Sequence, residues 1–111
     1  LELGTYSIDA HRTVGVAAAP ICDIVITVGV RARVVAETAR TEKQSEADVF
    51  ECSDSREAGE KLASLLREGD VALVKGSQLP RMERVAEAAM AKPEDAETLL
   101  VRQGSHWKAK L

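Results

Sequence analysis

Ile24-Val25-Ile26-Thr27-Val28 is a continuous β-branched run that stops at Gly29, and no other stretch narrows the folds open to this chain as much. Branched side chains lose little freedom on a pleated surface, and an unbroken run of this length is the pattern of a strand covered on both faces, as in a parallel sheet. Gly29 then turns the chain into a predicted helix from about Val30 to Arg40, in which Ala32, Val35, Ala36 and Ala39 fall at i, i+3, i+4 and i+7. Small residues on that face predict close packing on a sheet. Thr41 to Ala47 is polar and reads as a mobile loop, and Asp48 to Cys52 as a short second strand.

The same alternation continues toward the carboxyl end. Ser53-Asp54-Ser55 offers caps for a helix to about Arg67, with Ala58, Leu62, Leu65 and Leu66 inward and Glu57 and Lys61 paired outside. Gly69-Asp70 closes it and launches a predicted strand, Val71 to Val74. A helix from about Pro80 to Ala91 buries Met82, Val85, Ala86 and Ala89, Pro93-Glu94-Asp95 starts a short helix, and residues 103–111 form a loose tail. Ahead of the β-branched run, Ser7 caps a helix to about Ala19 that Pro20 ends, with Ile8, His11, Gly15 and Ala18 on one apolar face. Strands separated by helices are the βαβ grammar of a doubly wound α/β sheet with right-handed crossovers. Ligands of such sheets sit at the carboxyl ends of the strands, where Gly29 and Gly76 lie.

At 111 residues the chain is sized for one domain, and 45% apolar with 30% charged residues is a globular balance. No apolar run reaches the length of a membrane span, no leader pattern is present, and a cytoplasmic setting is expected. A net charge of −3 argues against a nucleic-acid partner, and Tyr6, Phe50 and Trp107 are too few aromatics for base stacking. The core must be aliphatic. Cys22 and Cys52 lack metal spacing and read as buried free thiols. Leu1-Glu2-Leu3-Gly4 reads as the exit from a preceding element, so a fragment of a longer chain is expected.

The chemistry-bearing string is Lys75-Gly76-Ser77, after an apolar strand and before a helix. It is not a Walker A loop, which requires Gx4GK[ST], and no GxGxxG is present. Gly76 allows close backbone approach, Ser77 supplies a hydroxyl and an amide, and Lys75 a mobile charge, which together suit a small carboxylate. The plainer alternative is a tight turn with Lys75 in water. His11 reads as a structural histidine, and Arg81 and Glu83 as a surface pair. His106 and Trp107 carry no signal of their own. No catalytic residue and no metal ligand is expected in this chain.

Read in order, Leu1-Glu2-Leu3-Gly4, Ala10-His11 with Val14-Gly15, Thr27-Val28-Gly29, Gly69-Asp70, and Val74-Lys75-Gly76-Ser77 with Arg81-Met82-Glu83 resemble the C-terminal domain of the Mur ligases, most of all the branch that adds D-alanyl-D-alanine. The resemblance covers Leu1 to about Met90, and the domain is set at residues 1–91, with residues 92–111 as a short helix and tail. It implies a three-layer, Rossmann-like α/β domain with a mostly parallel sheet, lacking the family's first strand and helix. It also implies an ATP- and Mg2+-dependent ligase of peptidoglycan precursor synthesis. There the carboxylate of UDP-muramoyl-tripeptide becomes an acyl phosphate, and the D-Ala-D-Ala amine attacks it. Lys75, Gly76 and Ser77 would line the acceptor pocket, with His11, Gly29 and Arg81 in support. In the family the P-loop of the central domain binds ATP and Mg2+; the central and N-terminal domains are both missing here, so this chain alone is expected to bind neither and to be inactive. Gln78-Leu79-Pro80 departs from the arginine-containing continuation usual in the family, which leaves the acceptor open. The alternative is a free-standing α/β module that binds a small carboxylate or phosphate without catalysis, and a third reading is a purely structural or interaction domain.

Overall fold

The computed structural model describes residues 3–109 and divides the chain into two compact units, residues 1–54 and 55–111. The reading of the first four residues therefore falls partly outside the described residues, as does the end of the predicted tail.

The first unit is one βαβ element with a helix ahead of it. Helix α1 (Ser7–Ala18) is followed by strand β1 (Val25–Val28), helix α2 (Arg33–Lys43) and strand β2 (Val49–Cys52). β1 and β2 are parallel, in the register Val25 to Val49 through Val28 to Cys52. The chain is thus α/β, and the sheet of the described residues has two strands. Val25, Val49, Ala19, Ala36 and Ala39 form the buried cluster, with Cys22 half-buried against it. Ala36 and Ala39 are wholly buried, so the small residues read from the helical spacing do lie against the sheet. Cys22 and Cys52 form no disulfide, and Cys52 is buried.

Three local expectations are corrected here. Ser7 is the first residue of α1, not its cap: a 3-10 turn over Gly4–Tyr6 leads directly into the helix, and Tyr6 occupies the cap position without a side-chain bond. Ile8 lies outside the expected apolar face and is 55% exposed, whereas Gly15 is buried. α2 extends into the predicted loop as far as Lys43, because Thr41 Oγ1 donates to Glu37 O at 3.1 Å and Lys43 Nζ donates to Cys22 O at 2.6 Å. Gln44 then ends it in the left-handed conformation, φ 52°.

The second unit holds α3 (Ser55–Leu65), α4 (Glu83–Ala89), α5 (Ala96–Leu99) and α6 (Ser105–Lys108). α3 packs on α4, burying Ala58 and Val85. Beyond α3, the chain turns as expected at Gly69 (φ 91°), where Asp70 accepts from Arg67 N at 2.8 Å. The predicted strand Val71–Val74 does not form. Val71 is 98% and Leu73 89% exposed, and the segment belongs to no ladder among the described residues. Apolar alternation alone cannot hold a strand whose backbone groups lack a neighbouring chain.

α4 is shorter than the predicted Pro80–Ala91 helix because Arg81 sits at φ 53°, outside the helical region, and the chain turns through residues 78–82 before the helix begins. Pro93 begins a 3-10 turn that runs into α5, as read from the sequence. The expected loose tail contains α6, held by a Lys108–Glu97 ion pair at 2.8 Å.

Candidate functional site

Lys75, Gly76 and Ser77 lie in the second unit and are all exposed. They do not stand at a helix amino terminus: residues 78–82 intervene, and α4 is seven residues long. The helix-dipole part of the anion-cradle expectation therefore falls, because dipole and free amides act within the first turn of a helix. What remains is a mobile ammonium and a hydroxyl presented to solvent. Gly76 has a specific steric role. A Cβ there would collide with Met82 Cγ and lie 3.4 Å from Met82 Cβ, so glycine lets the loop close onto Met82.

Two of the three supporting residues belong to the first unit. Gly29 follows β1 directly at φ 83°, and its N–H donates to Cys52 O at 2.9 Å, which extends the ladder by one bond. That conformation suits glycine, and the residue does mark the carboxyl end of a strand. His11 is half-buried on α1, and its Nδ1 donates to Ser7 O at 2.5 Å. Because a carbonyl can only accept, Nδ1 carries the proton and Nε2 is the open nitrogen.

Arg81, the third, is not at the surface. Arg81 and Glu83 are each 7% exposed, which corrects their reading as a surface pair. The left-handed backbone at Arg81 turns its guanidinium back onto the Glu83 carboxylate, and Arg81 Nη1 donates to Trp107 O at 2.5 Å. Arg102 Nη1 reaches the other Glu83 oxygen at 3.5 Å. Both guanidiniums also lie over the Trp107 ring, Arg81 at 5.6 Å and Arg102 at 5.8 Å from its centroid, within cation–π range. Burial by itself pushes the Glu83 carboxyl up. The Arg81 hydrogen bond, a backbone hydrogen bond and the charges of Arg81 and Arg102 outweigh it and hold the group below its ordinary value.

This knot borders a cavity of about 300 Å³ in the second unit, lined by Arg56, Arg81, Arg84, Arg102, Glu83 and Glu87 among others. Sequence reasoning missed it. Its partners are 19 and 26 residues apart, so no helical or strand period connects them. The available signals were an isolated Trp107 and the nearby Arg102, and neither specifies a partner.

A family model described as Mur ligase, glutamate ligase domain, matches residues 1–78. The chain belongs to the Mur ligase family. No curated protein and no solved structure shows a significant match to it. The Mur ligases are ATP-dependent enzymes of peptidoglycan precursor synthesis that use Mg2+, and the match covers their C-terminal domain. Residues 75–77 fall inside the matched range, whereas every cavity residue except Arg56 lies beyond it.

The 111 residues contain no Gx4GK[ST] string, and the described residues hold no cluster of three metal-ligating side chains. No helix among the described residues is long and apolar enough to cross a membrane.

Proposed function

We propose that this domain is the acceptor side of an ATP-dependent ligase that joins D-Ala-D-Ala to UDP-muramoyl-tripeptide through an acyl phosphate in the cytoplasm. The central and N-terminal domains of the ligase would supply ATP, Mg2+ and the site for the nucleotide-linked substrate. In this reading Lys75 and Ser77 meet the carboxylate of the incoming dipeptide, and Gly76 keeps their loop close to Met82. His11, Gly29 and Arg81 act at a distance, as structural supports of their own elements. The observation that carries the reading is the family match, which runs through residues 75–77 while all three stay solvent-accessible.

The test is made in the full ligase. Phosphate release should require both the UDP-muramoyl peptide and the amino acceptor, and release that ignores the acceptor would count against the assignment. Lys75→Ala should raise the acceptor's KM about tenfold, the size of a charge-assisted contact of about 1–2 kcal/mol, with the KM for ATP unchanged. Equal effects on both substrates would remove residues 75–77 from the acceptor site.

A further inference from the structure

The sheet of the first unit has two outer edges, and they are finished differently. Val25 N and Gly29 N donate to Asp48 O and Cys52 O. By the two-residue alternation of a strand, Val49 and Glu51 therefore turn their backbone groups away from β1, and Ile26 and Val28 turn theirs away from β2. The outer edge of β2 is covered by charge. Arg40 Nη2 donates to Val49 O at 3.4 Å and Arg40 Nη1 to Glu51 Oε2 at 2.5 Å, while Arg33 Nε lies 3.6 Å from the other Glu51 oxygen. Charge on an edge discourages the addition of another strand. β1 is made differently: from Ile24 to Val30 it carries no charged residue, and no further strand pairs with it among the described residues.

The same chain displays a segment that fits this edge. Val71–Val74 equals β1 in length, is likewise uncharged, belongs to no ladder, and exposes Val71 and Leu73 almost completely. We propose that the outer edge of β1 takes Val71–Val74 of a second copy as an antiparallel third strand. The exchange is reciprocal, so two copies close into a dimer with two such pairings. The residues that flank the two segments fix the direction. Setting 71–74 antiparallel to 25–28 places Lys75 opposite Ile24, beside Asp23, and both charged residues are exposed. The parallel arrangement would bring Asp70 there instead, carboxylate beside carboxylate. An exposed ion pair adds little strength, and its part is to select one direction over the other. This inference goes beyond the ligase reading and does not depend on it, since neither ATP nor acceptor takes part.

The test follows the intact chain by sedimentation equilibrium and by amide exchange at both ends of the concentration range. A monomer–dimer equilibrium with a Kd of about 10–100 µM is expected, as for a small interface. On dimerisation the amides of Ile26 and Val28 should exchange at least tenfold more slowly, whereas that of Thr27, which faces β2, should be slow in both states. In this register Leu73 faces β1, so Leu73→Pro removes one bonded N–H from each of the two pairings and should weaken the dimer about tenfold or more. Asp23→Lys should weaken it about threefold by setting like charges together. Several results would overturn the proposal. These are a monomer at every concentration, a parent-like dimer from Leu73→Pro, or a tighter dimer from Asp23→Lys. Ile26 and Val28 amides that exchange as fast in the dimer as in the monomer would reduce the association to side-chain adhesion, and equal protection in both states would place the pairing within one chain; either overturns it too.

Discussion

Gly59 holds the two helices that carry the arginine cavity at their observed spacing, and replacing it by alanine should lower stability although helix propensity favours the change. Alanine in the middle of α3 gains about 1 kcal/mol over glycine from propensity alone. The added methyl, however, would lie 2.8 Å from Ala88 Cβ, 3.4 Å from Arg84 O and 3.5 Å from Val85 Cα. Ala88 has no side-chain torsion with which to move away, so α3 and α4 must separate along the face where Ala58 and Val85 are buried. Overpacking of this kind costs about 1–3 kcal/mol, and with two backbone-fixed neighbours the upper half of that range applies. The net expectation is a loss of about 1 kcal/mol, read as a lower urea midpoint with an unchanged m-value. A double-mutant cycle isolates the cause. Ala88→Gly alone should cost about 1 kcal/mol, yet it should remove the penalty from Gly59→Ala, giving a coupling of about 1–2 kcal/mol. A Gly59→Ala protein about 1 kcal/mol more stable than the parent, with strict additivity in the cycle, would refute the close helix contact.

The first unit should respond alike at Gly15, where a Cβ would meet Thr38 Cβ at 2.7 Å: Gly15→Ala should lower the urea midpoint, and Thr38→Gly should relieve part of the loss. Glu83→Gln should cost about 3–5 kcal/mol in a chemical melt, since it leaves the buried guanidinium of Arg81 without its carboxylate. The same carboxylate sets an acid limit. Its folded value is held below the ordinary 4.5, so its stabilisation is complete above that value and is lost as pH falls through the folded one. Acid unfolding followed by Trp107 emission should therefore steepen below about pH 4.5, and Glu83→Gln should flatten it. Val71 and Leu73, almost fully exposed, should promote concentration-dependent self-association in light scattering, and Leu73→Lys should suppress it.

Legibility in the sequence followed the range of the interaction. β1, β2 and the inward face of α2 were read correctly because each is encoded within a few residues, by the branched run at 24–28 and by alanines at helical spacing. Segment 71–74 has comparable local character but lacks the partner chain that would complete its hydrogen bonds, so its propensity remains unexpressed. α4 shows the converse failure. Met82, Val85, Ala86 and Ala89 fit a helical period that continues back to Pro80, yet the left-handed Arg81 interrupts it, and no propensity scale places an arginine there.

That interruption decides the chemistry of the second unit. On a continuous helix Arg81 and Glu83, two residues apart, would point in different directions, and both would face water as the sequence implies. Turning the backbone at Arg81 brings guanidinium and carboxylate together in the interior and leaves Glu83 with a second oxygen for Arg102. The buried ion pair is therefore a product of one backbone conformation, which the spacing of the two residues does not show. Arg81→Gly tests this together with its control, Arg81→Lys. Glycine keeps the left-handed turn and loses the charge, while lysine keeps a charge but not the bidentate fork. If the turn sets the position of α4 and the fork sets the ion pair, glycine should preserve far-UV dichroism with a lower urea midpoint, and lysine should recover part of that loss. Loss of the α4 signature in the glycine variant would instead make the ion pair, and not the turn, the element that shapes this unit.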